Sequence, residues 1–247
     1  MVVDTLIYHP TLSKLIKFWD STPKREKTFR LLSYLSRFLG YYAYKKGYSK
    51  ETIELWSDLK AHFTFIRKAM RFFKPINHLQ LASKAFDNKL MDPILQFTTI
   101  VRNLGYAGYL TIDAIVFFKL LGIIDKKKYP NLGKYASRFW LLGLIAGLIN
   151  SLRIIYSLNS YENDQKNTQD EKVKETETET ETETKTKADT VAINQKLYQA
   201  KRKLIWDLLD TFIALNSLDI LHFTEGDVGL AGVITSLLGL QDLWKAT

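Results

Sequence analysis

Apolar residues recur along most of the chain at the spacing of three and four that places them on one face of an α-helix. This spacing predicts a first helix over 12–19 and a second helix that Thr22 caps, with Pro23 at its first position. An apolar stripe over 31–39 continues the second helix, and Gly40 is expected to end it. Strict alternation of apolar and polar residues is nearly absent, so the pattern predicts an all-α protein.

Residues 159–190 break the helical pattern. They include a Glu-Thr repeat from Glu175 to Thr184, in which neither residue type buries a face and neighbouring glutamates repel each other. We therefore predict a disordered acidic linker over 159–190, between an N-terminal helical region, 1–158, and a C-terminal helical region, 191–247. In the C-terminal region, we expect a helix over about 193–221, followed by a last apolar segment.

The charge balance points to an anionic partner. The 247 residues carry 35 Lys and Arg against 26 Asp and Glu, a net charge of +9. The predicted linker holds ten of the acids and five of the lysines, so the helical regions keep 30 basic and 16 acidic residues, or +14. Such an excess favours nucleic acid or an anionic membrane surface as the partner. The absence of cysteine excludes disulfides, thiolate metal sites and thiol catalysis.

The most informative pattern is an amphipathic helix predicted over Leu55–Lys74, which Pro75 ends. At about 100° per residue, one arc of this helix is apolar and rich in phenylalanine, and the opposite arc is basic. We predict that the apolar residues insert into a membrane: Leu55, Leu59, Phe63, Phe65, Ile66, Ala69, Met70, Phe72 and Phe73. We predict that the basic residues bind anionic lipid: Lys60, Arg67, Lys68, Arg71 and Lys74. A helix packed on a soluble core is the simpler interpretation, but such helices usually mix charge signs on their wet side.

The energies involved favour membrane binding by this helix. Eight large apolar side chains contribute a gross upper bound of roughly 12–24 kcal/mol on full burial. Five basic residues near anionic lipid add about 1 kcal/mol each. A helix lying ~5–10 Å deep occupies area in one leaflet only, so the two leaflets differ in area and the membrane curves.

Three further apolar segments approach the length of a membrane span, which needs about 20 residues. The segment 105–124 has this length but contains Asp113 and Lys119, whereas 139–149 and 228–240 are shorter. The last segment is rich in small residues, which suit close packing between helices in lipid, although a buried helix of a soluble protein is the alternative. The predicted helix-packing residues are Gly229, Gly232, Ser236 and Gly239.

The sequence contains no catalytic or metal-binding motif. The four histidines lie far apart, and there is no His-Glu-x-x-His, phosphate-binding glycine loop or nucleophile elbow. Asp207 and Asp210 lie three residues apart on a predicted helix, where a structural polar contact is a simpler explanation than acid–base catalysis. We therefore predict no enzymatic activity, no metal and no cofactor.

Several blocks of the sequence resemble the fungal peroxisomal biogenesis factor 11 family. They are 1–10 (MVVDTLIYHP), 25–27 (REK), 30–38 (RLLSYLSRF), 67–75 (RKAMRFFKP), 77–80 (NHLQ), 203–207 (KLIWD), 232–239 (GVITSLLG) and 244–247 (WKAT). Together they cover both ends and the middle of the chain, nearly everything apart from the acidic linker.

The resemblance implies a peroxisomal membrane protein that elongates and remodels the organelle before it divides, with 55–74 as the remodelling helix. It also implies self-association and cooperation with the fission machinery, a dynamin-type GTPase and its tail-anchored receptor. Some members of the family are implicated in metabolite passage and fatty-acid oxidation, so a membrane pore for small metabolites is the alternative function.

A pore needs polar residues along its lumen. The candidates in this sequence are Asp113, Lys119, Asp207, Asp210 and Asn216. A nucleic-acid binder is a third interpretation that the positive charge allows. Because no RNA- or DNA-binding motif is present, we expect no nucleic-acid partner.

Overall fold

The computed structural model describes the backbone of residues 8–125, 127–172 and 180–247, and the side chains of 8–125, 127–161 and 191–247. Within these ranges the chain is helical and has no β-strand, which confirms the all-α prediction. The helices are α1 Pro10–Trp19, α2 Thr22–Lys45, α3 Lys50–Met70, α4 Lys74–Asp87, α5 Pro93–Leu120, α6 Leu132–Lys172, α7 Thr180–Ser217 and α8 Glu225–Lys245.

Helix α2 differs from its predicted bounds at both ends. Ser21 occupies the N-cap position and Thr22 is the first helical residue, with Pro23 in the first turn. Gly40 does not end the helix. It lies where α3 packs closely, since an added Cβ would be 3.2 Å from the Cβ of Trp56. The chain leaves the helix after Lys45, at Gly47, whose φ of 70° favours glycine.

The predicted amphipathic helix 55–74 is divided between two elements. Helix α3 ends at Met70, residues 71–73 form a turn, and Lys74 begins α4. Pro75 therefore lies in the first turn of α4 rather than ending the preceding helix, because the missing N–H of proline costs nothing there. Helix α7 also ends earlier than predicted, at Ser217.

Two helix boundaries fall inside the predicted linker 159–190. Helix α6 extends to Lys172 and α7 begins at Thr180. Residues 173–179 and the side chains of 162–190 lie outside the part of the chain that the structure describes. The disorder of the acidic linker therefore stays a prediction.

Six helices form a closed ring. Helix α2 packs against both α3 and α8, α7 joins α8 to α6, and α6 packs along α5. Contacts between α5 and α3 close the ring, while α4 lies against α5 and α1 against α2.

The polarity of this ring is inverted relative to that of a soluble domain. Among the described side chains, 39 large hydrophobic ones are exposed, whereas 13 polar or charged residues are buried. Nine of the 15 buried hydrophobic residues are alanine. Soluble domains bury large apolar residues and rarely bury charge. Small residues between helices and polar groups facing the bundle interior are typical of helices packed in lipid.

Helix α8 approaches α2 closely at two of the predicted helix-packing glycines. A Cβ added to Gly229 would lie 2.8 Å from the backbone nitrogen of Phe38. A Cβ added to Gly232 would overlap the ring of Tyr34. At both positions, atoms of α2 occupy the space that the Cβ of any residue other than glycine would fill.

The remaining predicted packing residues of α8 also lie inside the bundle, and a second small-residue contact joins α5 to α6. Ser236 is fully buried, and a Cβ on Gly239 would lie 2.6 Å from the Trp206 ring. In the second contact, which the sequence analysis did not identify, a Cβ on Gly105 would lie 2.7 Å from the backbone nitrogen of Gly143.

One of the described helices is long and apolar enough to cross a membrane. This is the part of α6 over Leu132–Tyr161, with 30 residues and a mean hydropathy of 1.7. It includes the predicted apolar segment 139–149. The segment 105–124 begins inside α5 and passes its end at Leu120, and 228–240 lies within α8.

Candidate functional site: a charged chamber inside the helix ring

The helix ring surrounds a partly open cavity of about 810 Å³, called the chamber below. Its wall is built by α2, α3, α4, α5, α6 and α7, with Glu225 at the start of α8. Three of these helices present polar side chains spaced four, three and four residues apart, which places them on one helix face. These residues are Glu26, Arg30, Ser33 and Arg37 on α2; Lys60, Thr64, Arg67 and Arg71 on α3 and the following turn; and Arg102, Tyr106, Tyr109 and Asp113 on α5.

Glu26 joins α2 to α3 and α4 through three cations. Its carboxylate oxygens lie 3.4 Å from Arg67 Nε, 3.2 Å from Lys74 Nζ and 3.9 Å from Arg71 Nε. Burial opposes ionisation of Glu26, but Arg67, Lys74 and Arg71 outweigh it and hold the pKa of this carboxyl well below its usual range. Glu26 is therefore a fixed negative charge at physiological pH.

Asp113 of α5 binds Lys68 of α3 and Arg71 of the following turn. Its Oδ2 accepts a hydrogen bond from Arg71 Nη2 at 2.7 Å, and Lys68 Nζ donates to its Oδ1. Arg71 also donates from Nη1 to the hydroxyl of Tyr109 at 3.0 Å. Burial lowers the pKa of Lys68, and Asp113 partly restores it.

Two carboxylates on α7 form the opposite side of the charge network. Arg30 Nη2 donates to Asp210 Oδ1 at 2.5 Å and to Thr235 Oγ1 at 3.0 Å. Asp207 is almost fully buried and pairs with Arg102 at 3.3 Å and with Lys203. Breaking such buried pairs is costly, because one charge is then left without compensation.

Glu225 lies more exposed than the other acids of the chamber. Arg37 binds it with two hydrogen bonds, from Nε at 2.8 Å and from Nη2 at 2.5 Å. Lys60 Nζ lies 3.5 Å from the same carboxylate. These hydrogen bonds, led by that from Arg37, lower the pKa of Glu225 despite its partial burial.

The five residues predicted to bind anionic lipid all line this chamber. Arg67 is buried, and Lys60, Lys68, Arg71 and Lys74 are each paired with an acid of the wall. In this conformation the basic arc of the predicted amphipathic helix faces the interior of the ring.

Of the nine residues predicted to insert into the membrane, Phe65 lines the chamber, and the others lie toward the outside or between α3 and its neighbours. Leu55 and Phe73 are 55% and 73% exposed, and Ala69 is exposed as well. The other six are half-buried: Leu59, Phe63, Phe65, Ile66, Met70 and Phe72. Three of the phenylalanines pack in tilted or edge-to-face contact with rings of α2 and α5, those of Phe29, Phe117 and Phe118.

The residues proposed for a pore lumen are only partly brought together. Asp113 and Asp210 line the chamber, and Asp207 pairs with two cations of its wall. Lys119 donates instead to backbone carbonyls in the loop after α5, and the side-chain oxygen of Asn216 accepts from a backbone N–H in the loop after α7.

The sequence analysis missed Glu26, Arg30 and Arg102 as members of one site. Their signal is the polar stripe with helical spacing that each of their helices carries. The sequence analysis considered such a stripe only on 55–74 and assigned it to anionic lipid. Among the described residues, no group of three or more His, Asp or Glu side chains is arranged to hold a metal ion.

The family model of peroxisomal biogenesis factor 11 (PEX11) matches residues 12–244. The chain belongs to this family. It is 38% identical to peroxisomal membrane protein PMP27 of Saccharomyces cerevisiae over the whole of both chains. It is 36% identical to peroxisomal membrane protein PMP30B of Candida boidinii, over 100% of this chain and 99% of the relative.

A more distant relative is peroxisomal biogenesis factor 11 of Schizosaccharomyces pombe, 25% identical over 96% of each chain. No solved structure matches the chain. This member of the PEX11 family is a peroxisomal membrane protein, which confirms the family and location that the sequence blocks predicted. Membership is consistent with a role in peroxisome biogenesis and proliferation. None of these three relatives is named for an enzymatic activity.

Proposed function

We propose that this chain promotes the elongation, proliferation and fission of peroxisomes by inserting an apolar helix face into the membrane and curving it. The observation that supports this most is the outward position of part of the apolar arc of 55–74, with Leu55 and Phe73 largely exposed. Burying such side chains in lipid contributes about 1.5–3 kcal/mol each at full burial. Insertion from one side expands one leaflet relative to the other.

Contact of the basic arc with lipid headgroups requires α3 to turn out of the ring. Leaving the ring breaks the buried pairs of Arg67 with Glu26 and of Lys68 with Asp113. Breaking a buried pair costs about 3–5 kcal/mol. Attraction to an anionic surface returns only about 1 kcal/mol per basic residue. We therefore propose two stages, in which the apolar face inserts first and the basic face reaches headgroups only in an opened form.

The insertion step is tested with purified full-length protein and liposomes of anionic lipid. Wild type is expected to bind and tubulate them, whereas Ile66→Asp abolishes tubulation by placing a charge in the middle of the apolar arc. Because Ile66 is half-buried, Leu55→Asp at an exposed position provides a second test with less risk to folding. Ser57→Asp adds the same charge to an exposed position of α3 outside the apolar arc and is the matched control. Tubulation by both apolar-arc variants at the wild-type level disproves the wedge.

We propose further that the chain self-associates and acts with a dynamin-type GTPase and its tail-anchored receptor on peroxisomes. These partners are proposed from the family resemblance. Chemical crosslinking of isolated peroxisomes, followed by affinity purification of the tagged chain, is expected to recover a second copy and the GTPase. Recovery of the chain alone, with crosslinking efficiency shown on another membrane protein, contradicts the proposal.

A second candidate function is a pore for small metabolites, and the chamber favours it. A cavity of about 810 Å³ with charged walls inside an apolar ring has the polarity of a solute pathway. Full release of the protein by alkaline carbonate excludes this function. In planar bilayers, conductance is expected to fall in Ala61→Trp, at the chamber wall, and to persist in Ala69→Trp, on the outer arc of the same helix. Equal conductance of the two variants also argues against the pore.

A further inference from the structure

The chamber carries more positive charge than its own acids balance. Ten of its lining residues are basic and four are acidic. Including the buried Asp207, the five acids leave a formal excess of five positive charges when every lysine is protonated. Each acid is already engaged: Asp210 contacts one cation, Asp113, Asp207 and Glu225 contact two each, and Glu26 contacts three.

Two donors of the wall have capacity left for a ligand. Lys27 contacts no carboxylate among the described side chains, and its Nζ lies 4.6 Å from the centroid of the Trp206 ring. The Nε–H of Arg71 is buried and makes no hydrogen bond in the same part of the chain, since Glu26 Oε1 lies 3.9 Å from Nε. A half-buried cation without a carboxylate partner and a buried donor without an acceptor are both unfavourable, so a bound anion that reaches both groups stabilises the closed ring.

The size of the charge excess selects the class of anion. A monocarboxylate brings one negative charge, which leaves most of the excess uncompensated. A phosphate group brings between one and two negative charges and three acceptor oxygens. Arginine and lysine are the side chains that bind phosphate best, through bidentate hydrogen bonds and as point charges respectively. The volume of the chamber is within the roughly 300–1,000 Å³ of small-molecule sites.

We infer that the chamber is a binding site for a multivalent phosphate anion, of the size of pyrophosphate or a phosphorylated lipid headgroup, with Lys27 and Arg71 among its contacts. This site uses the interior of the ring, whereas the proposed membrane wedge uses its apolar outer face. Loss of tubulation and loss of phosphate binding are therefore separate results, and either can occur without the other.

The test uses full-length protein in nanodiscs of phosphatidylcholine, with pyrophosphate as the probe and thermal unfolding and calorimetry as the measurements. Saturable binding with an upward shift of Tm is expected for wild type. Lys27→Gln is expected to weaken affinity by about tenfold or more, since it removes a charge-assisted hydrogen bond. Lys27→Arg restores the charge and is expected to retain binding. Lys17→Gln removes the same charge from an exposed position on α1 and is expected to have no effect.

A second arm separates a lipid headgroup from a free anion. Nanodiscs that contain a phosphatidylinositol phosphate are compared with phosphatidylcholine alone, without added pyrophosphate. If only the discs with phosphatidylinositol phosphate stabilise the protein, and this effect depends on Lys27, the ligand is the lipid headgroup. Stabilisation by pyrophosphate in discs of phosphatidylcholine alone identifies a free phosphate anion.

Equal responses of wild type, Lys27→Gln and Lys17→Gln overturn the inference, because they indicate screening by salt rather than a site. Absence of any response in both arms overturns it as well. Should Lys27→Gln fail to fold, saturable binding to wild type and to Lys27→Arg, measured against an equal ionic strength of chloride, decides the question.

Discussion

Lys27 is the residue through which pH acts most directly on the chamber. Burial and the nearby Arg30 lower its pKa to about 7, and two acids restore only part of the usual value. The charged groups that face Lys27 come from its own helix, from α4 and from α7. They are Glu26, Arg30, Lys74 and Asp210.

The lowered pKa of Lys27 gives stability and anion affinity opposite dependences on pH. In the unfolded chain a lysine titrates near pH 10.4, so between about pH 7 and 10 the unfolded state binds more protons at this residue. Relative to Lys27→Gln, wild type is therefore expected to gain stability as the pH rises over this range. Affinity for pyrophosphate is expected to fall over the same range, because Lys27 loses its proton. Thermal unfolding and calorimetry at pH 6.5, 7.5 and 8.5 measure both, and parallel curves for wild type and Lys27→Gln contradict the assignment.

At the scale of helices, glycine sets how closely α8 packs against α2. The backbone nitrogen and Cα of Phe38 lie 2.8 and 2.9 Å from the position of a Cβ on Gly229. Backbone atoms do not move aside as a flexible side chain does. Gly229→Ala is therefore expected to destabilise the protein by about 1–3 kcal/mol through overpacking.

Gly133, near the start of α6, is the matched control for this substitution. A Cβ there meets no atom within 4 Å, so Gly133→Ala is expected to leave stability unchanged or to raise it by up to about 1 kcal/mol. Thermal unfolding of both variants in one detergent provides the comparison. Similar effects of the two substitutions contradict a close contact at Gly229.

The sequence predicted that the chain is helical, but not where each helix ends or which face points inward. Apolar spacing located α1 and the stretch 55–70 of α3, because this periodicity is a property of the local sequence. Gly40 was taken for a helix end because its role, close approach to Trp56, depends on a residue sixteen positions away. The basic arc of α3 was taken for a surface because its partners, Glu26 and Asp113, lie on other helices.

The two-stage insertion proposed for α3 is testable with a covalent lock between α2 and α3. The Ser33 and Thr64 hydroxyl oxygens lie 2.8 Å apart, and the chain has no cysteine of its own. Ser33→Cys combined with Thr64→Cys is therefore expected to form one defined disulfide on oxidation. The oxidised form keeps its apolar face outside but holds the basic arc in the chamber.

For the locked protein we expect unchanged binding to phosphatidylcholine vesicles and loss of the extra affinity for anionic vesicles, by at least about tenfold. Reduction of the disulfide restores this extra affinity, which makes the same sample its own control. Thr64→Cys alone accounts for any effect of the substitution itself. A locked protein that still prefers anionic vesicles shows that other basic residues contact the headgroups.

Across the whole molecule, large apolar side chains lie on the outside and charged side chains lie inside, the reverse of a soluble protein. Apolar side chains such as Leu104 and Leu142 are about half exposed on the outside, while Arg67 and Asp207 are buried. The amphipathic patterns in the sequence are compatible with either arrangement, because periodicity defines two faces of a helix but not which of them meets the solvent. The sequence analysis related the membrane to the helix 55–74 and to three apolar segments taken singly, whereas a membrane around the ring makes the inverted arrangement favourable for all of its helices.

A ring surrounded by lipid predicts that α6 crosses the bilayer. Lysine substitutions along the outer face of α6 test this prediction. Ile145 is near the middle of the apolar stretch Leu132–Tyr161 and is 46% exposed, whereas Tyr135 is near one end and is 49% exposed. A lysine at the centre of a span costs about 2.5–3.5 kcal/mol, while a lysine near the end extends its ammonium to the interface at little cost. Ile145→Lys is therefore expected to shift the protein from the carbonate-resistant membrane fraction of peroxisomes toward the supernatant, and Tyr135→Lys to remain in the membrane.

Protease protection of tags placed at either end of the chain provides an independent readout of the same topology. Equal extraction of the two variants contradicts a transmembrane α6. It favours a ring that lies in the headgroup region, where the position of a lysine along α6 does not change its cost.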